Sequence, residues 1–252
     1  AAWCAPGAEP AAVLANGGAF GGKQSGELAV LGEVARRLAD DCGHTVVATW
    51  SREDVVRLGP KRPPVAGGVR ADGTGVLRVA RTPGIAAAIA AVAPGLVVEE
   101  VDVVGPPTSA RVRGAGWVEA AVLTAPADGW ITSPAGGAAH ASVADDGTVH
   151  IRVRCGEVLD ETVVRSYCIG AAHMALGWVR SEGITVGDDG VPLDLTVRSF
   201  GIVRAVDMPR VEVTIETSDG PPVACADAAF AAVALAVWRG EGFARRWPTM
   251  RA

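Results

Sequence analysis

The chain has little lysine, few aromatics and no paired cysteines, and each shortage narrows what it does. Lys23 and Lys61 are the only lysines among 23 basic residues, set against 28 acidic ones for a net charge of −5. The one adjacent basic pair that includes a lysine is Lys61-Arg62, so an extended basic face for nucleic acid is not expected. The excess of arginine over lysine, with abundant alanine and glycine, reads as the mark of a GC-rich genome. Cys4, Cys42, Cys155, Cys168 and Cys225 include no CxxC spacing, which argues against an iron–sulfur cluster or a structural zinc within the chain. Their odd number and irregular spacing fit reduced thiols and a cytoplasmic setting. No apolar run is long enough for a membrane span; the nearest, over residues 84–98, is broken by Pro94-Gly95. The start lacks the charged region of a signal peptide and an initiator Met, as expected of a processed chain or a piece of a longer one.

With 252 residues, 49% of them hydrophobic, there is material for one large or two modest domains. The densest signal is Gly17-Gly18-Ala19-Phe20-Gly21-Gly22-Lys23 ahead of a helical pattern. Four glycines so close together cost backbone entropy and suit a place where main chain comes near a ligand or another segment. The run satisfies GxxxxGK, but the next residue is Gln24 where a nucleotide-binding loop carries Ser or Thr to ligate Mg²⁺. Residues 96–102 could serve as the acidic strand of such a site. A tight strand-to-helix turn is a second reading of the run, although Phe20 has no role in turn chemistry.

Local patterns place the elements. Leu28, Leu31, Val34, Ala35 and Leu38 recur at helical spacing between Ser25 as N-cap and Gly43. Residues 45–50 read as a strand, and Ser51-Arg52-Glu53-Asp54 as a capping box opening a short helix. Residues 69–80 form a hairpin pattern around Asp72-Gly73. Thr82-Pro83 reads as N-cap and first helical position. A strand over 96–104 leads to a Gly, Pro and Arg-rich loop to Gly116, and 124–137 has the composition of a linker. Residues 138–143 and 149–153 flank Asp145-Asp146-Gly147 as a hairpin. Asp160 caps a helix to about Trp178, 184–186 and 193–197 flank another turn, 211–217 alternates like a strand, and 224–238 is an Ala-rich helix. The alternation gives an α+β class of mixed sheets with packed helices. The division expected is a glycine-loop α/β subdomain at 1–123 and a C-terminal α+β subdomain at 138–252. His173, mid-helix beside Met174, reads as packed, Cys155 and Cys168 as buried thiols, and the seven tryptophans, scattered along the chain, as core or interface residues.

The glycine run also resembles the glycine-rich segment of the molybdenum hydroxylases, the xanthine dehydrogenase and aldehyde oxidase family. Further motifs follow in that family's order. Ser51-Arg52-Glu53-Asp54 resembles its Ser-Arg-Glu-Glu segment, and Pro106-Pro107-Thr108-Ser109-Ala110-Arg111-Val112-Arg113-Gly114-Ala115-Gly116 the segment ending Arg-Gly-Phe-Gly. The stretch 170–177 with Ser181-Glu182 is similar to its Gly-Leu-Gly-x-x-Leu-x-Glu region. Asp207-Met208-Pro209 with the strand after it resembles Asp-x-Pro-x-Ile/Val-x-Val, and Arg246-Trp247-Pro248-Thr249 its Leu-Pro-Thr tail. The resemblance implies a fold like part of the molybdopterin-binding domain. It implies that Gly18, Ala19, Phe20, Gly21, Gly22, Arg113 and Gly114 face molybdopterin, since backbone amides approach an anionic ligand where side chains are absent. Gln24 then stands at a substrate-facing position. FAD and 2Fe-2S clusters belong to partner chains, no protein ligand to the metal is assigned, and the reaction is oxidative hydroxylation of an aldehyde or N-heterocycle.

The chain departs from that pattern in two ways. It is shorter than the family's subunit, with a Gly-Gln-Gly-type loop missing after Gly116. The family's Gly-x-Gly-Glu, whose glutamate is the catalytic base, is here Ala224-Cys225-Ala226-Asp227. Asp227 is the corresponding catalytic candidate, one methylene shorter; as an alternative it is the N-cap of the last helix. The same departures open a second role for the chain, as a catalytically silent structural or assembly subunit of such a complex.

Overall fold

The structure is a computed structural model that describes residues 1–12, 27–193, 195–216 and 218–250. Gly18, Ala19, Phe20, Gly21, Gly22 and Gln24, and the Ser25 cap, lie outside the described residues.

The first unit begins with β1 (Ala2–Cys4) and β2 (Ala11–Ala12), followed by α1 (Glu27–Cys42) and β3 (Val46–Ala48). β1 lies between β2 and β3, antiparallel to both. Gly43 ends α1 at φ 69°, the left-handed position that glycine fills without strain. One face of α1 (Leu31, Ala35, Ala39) covers Ala2, Cys4 and Ala48 in a small cluster. Next comes α2 (Arg52–Leu58), which opens on the expected capping box: the Asp54 amide donates to Ser51 Oγ and the Ser51 amide to Asp54 Oδ2, both at 3.1 Å.

β4 (Val65–Val69) and β5 (Gly75–Ala80) form the hairpin, with Gly73 at φ 81° in its turn. α3 (Ile85–Ala90) then crosses to β6 (Leu96–Val101), which pairs parallel to β5. The N-cap of α3 is Gly84, not Thr82. Thr82 is 1% exposed and its hydroxyl is engaged elsewhere, 2.8 Å from the Ala80 carbonyl and 2.6 Å from Thr108 Oγ1. A buried hydroxyl takes the partners that tertiary packing offers, which here overrides its local capping preference.

A 3-10 turn at Val112–Gly114 precedes α4 (Trp117–Leu123). The stretch expected to be a linker instead contributes β7 (Ile131–Thr132), whose Ile131 is 3% exposed in the main core. β7, β8 (Ala138–Val143) and β9 (Val149–Arg154) run antiparallel. α5 (Glu161–Arg180) follows, with the Asp160 carboxylate accepting from the Thr162 and Val163 amides. Among the described residues of 184–197 the Gly187 amide donates to the Val191 carbonyl and the Leu193 amide to the Thr185 carbonyl across the expected turn, but no run of strand forms. Val186 and Pro192 make an isolated bridge, and the segment ends in a one-turn helix, α6 (Val197–Phe200). β10 (Val211–Ile215) then adds to the far side of β9 in parallel, and α7 (Ala226–Gly240) closes the fold.

The molecule is α+β, with mixed sheets and packed helices. The main core lies between the sheet β10-β9-β8-β7 and the helices α5, α7 and α4. Val149, Ile151 and Val153 point inward from β9, while His150, Arg152 and Arg154 face outward. The buried faces of α5 and α7 are rich in alanine, so the helices approach closely. Among the described residues no helix is long and apolar enough to cross a membrane.

Candidate functional site

The site is built around the 3-10 turn before α4. Arg113 stands at φ 45°, ψ 52° and Gly114 at φ 62°, so the chain makes two left-handed steps in succession. Gly114 is required there twice over. Its φ disfavours a side chain, and a Cβ would lie 2.3 Å from the indole Nε1 of Trp117. The reversal turns the Arg113 carbonyl toward Arg62, whose Nη1 donates to it at 2.9 Å and to the Val112 carbonyl at 3.2 Å.

Arg62 was legible only as half of a basic pair, yet it organises the site. Its Nε and Nη2 grip both oxygens of Glu119, at 2.5 and 2.9 Å, and its guanidinium carbon lies 4.3 Å from the Trp178 ring centre. Glu119 is 6% exposed and also accepts from the Gly116 amide at 2.8 Å, which satisfies an open donor at the start of α4. A buried carboxylate is tolerated in a core when it is paired and hydrogen-bonded in this way.

The Arg113 side chain, 13% exposed, runs toward the first turn of α7. Its Nη1 lies 3.3 Å from Asp227 Oδ1 and its Nη2 3.2 Å from Met174 Sδ, with the guanidinium 5.6 Å from the Phe230 ring centre. Burial pulls this guanidinium below its usual range, Asp227 opposes that, and the like charge of Arg62 adds to it. Asp227 is 47% exposed. It is not the N-cap: Cys225 holds that position, and Asp227 sits one residue inside α7, where a carboxylate also meets the positive end of the helix. Two sequence candidates 114 residues apart, Arg113 and Asp227, thus share one site. The glycine run and Gln24 are outside the described residues, so nothing relates them to it.

An aromatic wall backs the arginines. Trp178 stacks on Phe230 at 5.1 Å between ring centres and meets Trp247 edge-on at 4.7 Å, while Trp238 meets Trp247 at 5.7 Å. Three of the tryptophans that look scattered in the sequence therefore form one group in space. His173, as expected, is packed, its Nε2 2.7 Å from the Val203 carbonyl. Glu182 lies against the backbone of Gly177, where a Cβ would come within 2.2 Å of its Oε1. Burial raises its carboxyl to about 7.

A cleft of about 450 Å³ lies elsewhere, lined by Val92, Ala121, Pro126, Trp130 and Ser133 among others. Neither Arg113 nor Asp227 lines it and no charged side chain does, so it lacks the groups for acid–base or anion chemistry.

No protein-family model matches the chain, and no curated protein matches it. Solved structures similar to it include a Cu,Mo-CO dehydrogenase in the carbon monoxide reduced state. That likeness has 11% identity and a TM-score of 0.34, over 69% of this chain and 33% of that one. Quinoline 2-oxidoreductase from Pseudomonas putida 86 is similar at 12% identity and a TM-score of 0.34, over 71% of this chain and 35% of that one. Reconstituted CO dehydrogenase from Oligotropha carboxidovorans gives 12% and 0.33, over 71% and 34%. The chain spans about a third of the length of each, and the similarity is distant and partial.

Among the described residues no group of three or more His, Cys, Asp or Glu side chains is placed to hold a metal ion directly. The group here that could hold an anionic, oxygen-rich ligand is the Arg113 guanidinium, and such a ligand would compete with its present acceptors, the half-exposed Asp227 carboxylate and the Met174 thioether. A thioether is a weak acceptor, and oxygen anions make stronger partners for a guanidinium.

Proposed function

We propose that this chain is the molybdopterin-facing component of an oxidoreductase of the molybdenum hydroxylase type, acting on an aldehyde or N-heterocycle. The observation that carries the reading is the meeting of Arg113 and Asp227. Arg113 belongs to a family-like motif and Asp227 stands where the family carries its glutamate, and they converge at 3.3 Å on one partly buried site. In this reading the bound molybdenum–pterin group supplies the two-electron oxidation. Arg113 would hold an anionic edge of that group. Arg62 holds the Arg113 backbone in its left-handed turn, and Phe230 and Trp178 exclude water behind both arginines. Asp227 is the carboxylate that takes up a proton, from the exposed side of the site. Partner chains carry FAD and 2Fe-2S and complete the site.

The second reading, a silent structural or assembly subunit, is favoured by the ion pair itself, since Asp227 already occupies the guanidinium that would face the cofactor. The Asp227→Asn substitution separates the two. In the native complex, the catalytic reading expects turnover to fall by about 10²-fold or more with molybdenum content unchanged. Unchanged turnover of a complex that contains the variant chain as its molybdenum subunit would contradict it.

A further inference from the structure

The outer side of α5 is covered along only half of its length. The inner side buries Cys168, Ala171, Ala172 and Ala175 in the main core. On the outer side, the second half is covered by the chain itself. Arg113 reaches Met174, the Val203 carbonyl meets His173, and Glu182 lies against Gly177. That cover ends before Gly170. Leu159, just ahead of the helix, and Val163 and Tyr167 within it are 78%, 47% and 65% exposed. They recur every four residues and so share one stripe, which Gly170 continues three residues later.

The two glycines of α5 differ. Gly177 is needed by the fold, since a Cβ there would overlap Glu182. At Gly170 a Cβ would meet nothing within 4 Å among the described residues. Glycine weakens the middle of a helix relative to alanine, and nothing within the chain requires it at this position. A bare position on an open helix face suits the close approach of another segment. Tyr167 and Gly170 thus set a bulky position and a bare one three residues apart on one open face. With a two-fold axis between them, two antiparallel copies of α5 bring Tyr167 of each onto Gly170 of the other. Both contacts form at once, which is the self-complementarity that an isologous interface needs. Charge favours the same antiparallel sense. Glu157, Asp160 and Glu161 are exposed at the start of α5. Arg198 and Arg204, the latter also paired with Asp207, are exposed on the segment that packs beside its end. Opposite helix dipoles also align in this arrangement.

We propose that the open half of α5 is a self-association surface, on which a second copy of this chain packs antiparallel with Tyr167 of each copy seated over Gly170 of the other. Val163 and Leu159 flank the contact and leave water with it. The patch is smaller than a standard interface, so the dimer is a weak one that dissociates in about the micromolar range. The proposal does not rest on the reading of the Arg113 site.

Sedimentation equilibrium of the reduced full-length chain, from about 1 to 300 µM, tests it. A monomer–dimer equilibrium is expected. Gly170→Leu and Tyr167→Ala should each weaken it by about tenfold or more, with circular dichroism unchanged. The open space at Gly170 and the exposure of Tyr167 let the monomer accept both substitutions. Cross-linking reads the register, in a Cys42→Ser background that removes the exposed native thiol. A Tyr167→Cys chain mixed with a Gly170→Cys chain should give, on mild oxidation, a dimer linked between residues 167 and 170. Neither chain alone should form a link at these positions. A chain that stays monomeric across the whole range overturns the proposal and leaves the face to a different partner. A dimer that either substitution leaves intact also overturns it. So does the absence of the 167-to-170 link, or a 167-to-167 link from the Tyr167→Cys chain alone, which marks a parallel pair. None of these readouts depends on molybdenum or on turnover.

Discussion

Glu119 is the residue on which the site rests, because one carboxylate holds Arg62 on two bonds and the first turn of α4 on a third. Removing one partner of a buried pair leaves the other uncompensated. Glu119→Ala is therefore expected to cost about 3–5 kcal/mol in denaturant unfolding. The half-exposed Asp227 is different: Asp227→Asn is expected to cost under about 1 kcal/mol. Equal losses for the two would show that Arg62–Glu119 is no more structural than the outer pair. Gly114→Ala combines a positive φ with an overlap on Trp117 and is expected to lose about 2 kcal/mol or more. Glu182 sets a pH dependence. Its folded value, about 7, lies above its ordinary 4.5, so the folded protein binds the extra proton between those limits. Stability should then fall as pH rises from about 4.5 to 7, by on the order of 2 kcal/mol after solvent screening, and Glu182→Gln should flatten the slope. Thermal melts of both proteins across that window check this; parallel slopes would contradict it.

At the scale of elements, α7 joins the core to the site. Its Phe230 is 3% exposed and lies under both arginines and Trp178. Phe230→Ala should cost about 3–5 kcal/mol by chemical denaturation, since the cavity opens beneath charged groups that cannot collapse into it. Elements with local chemistry were legible in the sequence: the Ser51–Asp54 box, the Asp72-Gly73 and Asp146-Gly147 turns, the Asp160 cap and α7. What the sequence could not show depends on residues far apart in the chain. The parallel pairing of β10 with β9 joins segments about 60 residues apart, and no local pattern marks it. The same holds for Arg62 with Glu119 and for the tryptophan group. Thr82 failed as a cap because a tertiary partner, Thr108, outweighed local preference, whereas around the Asp189-Gly190 turn the local bonds formed but closed only one bridge, Val186 with Pro192. Asp227 was found as a residue but misplaced by two positions as a possible cap, within the usual uncertainty of helix ends.

The whole molecule divides its stability unevenly. The N-terminal cluster buries Ala2, Cys4, Leu31, Ala35, Ala39 and Ala48, mostly small side chains, whereas the main core buries four strands against three helices. Burial of less apolar area permits opening at lower free energy. Amides of β1 and β3 should exchange with deuterium at least about tenfold faster than those of β8 and β9. Equal protection of the two sheets would mean that the cluster opens only with the whole fold. Charge and architecture set the wider limits, an acidic α+β molecule in which two partly buried arginines, Arg62 and Arg113, share one site. The central claim, that this site faces an anionic molybdenum–pterin group, is tested most directly by the molybdenum and pterin content of the chain isolated in its native complex. Stoichiometric molybdenum with pterin fluorescence is the expected result. A folded chain in an intact complex that carries neither would contradict it.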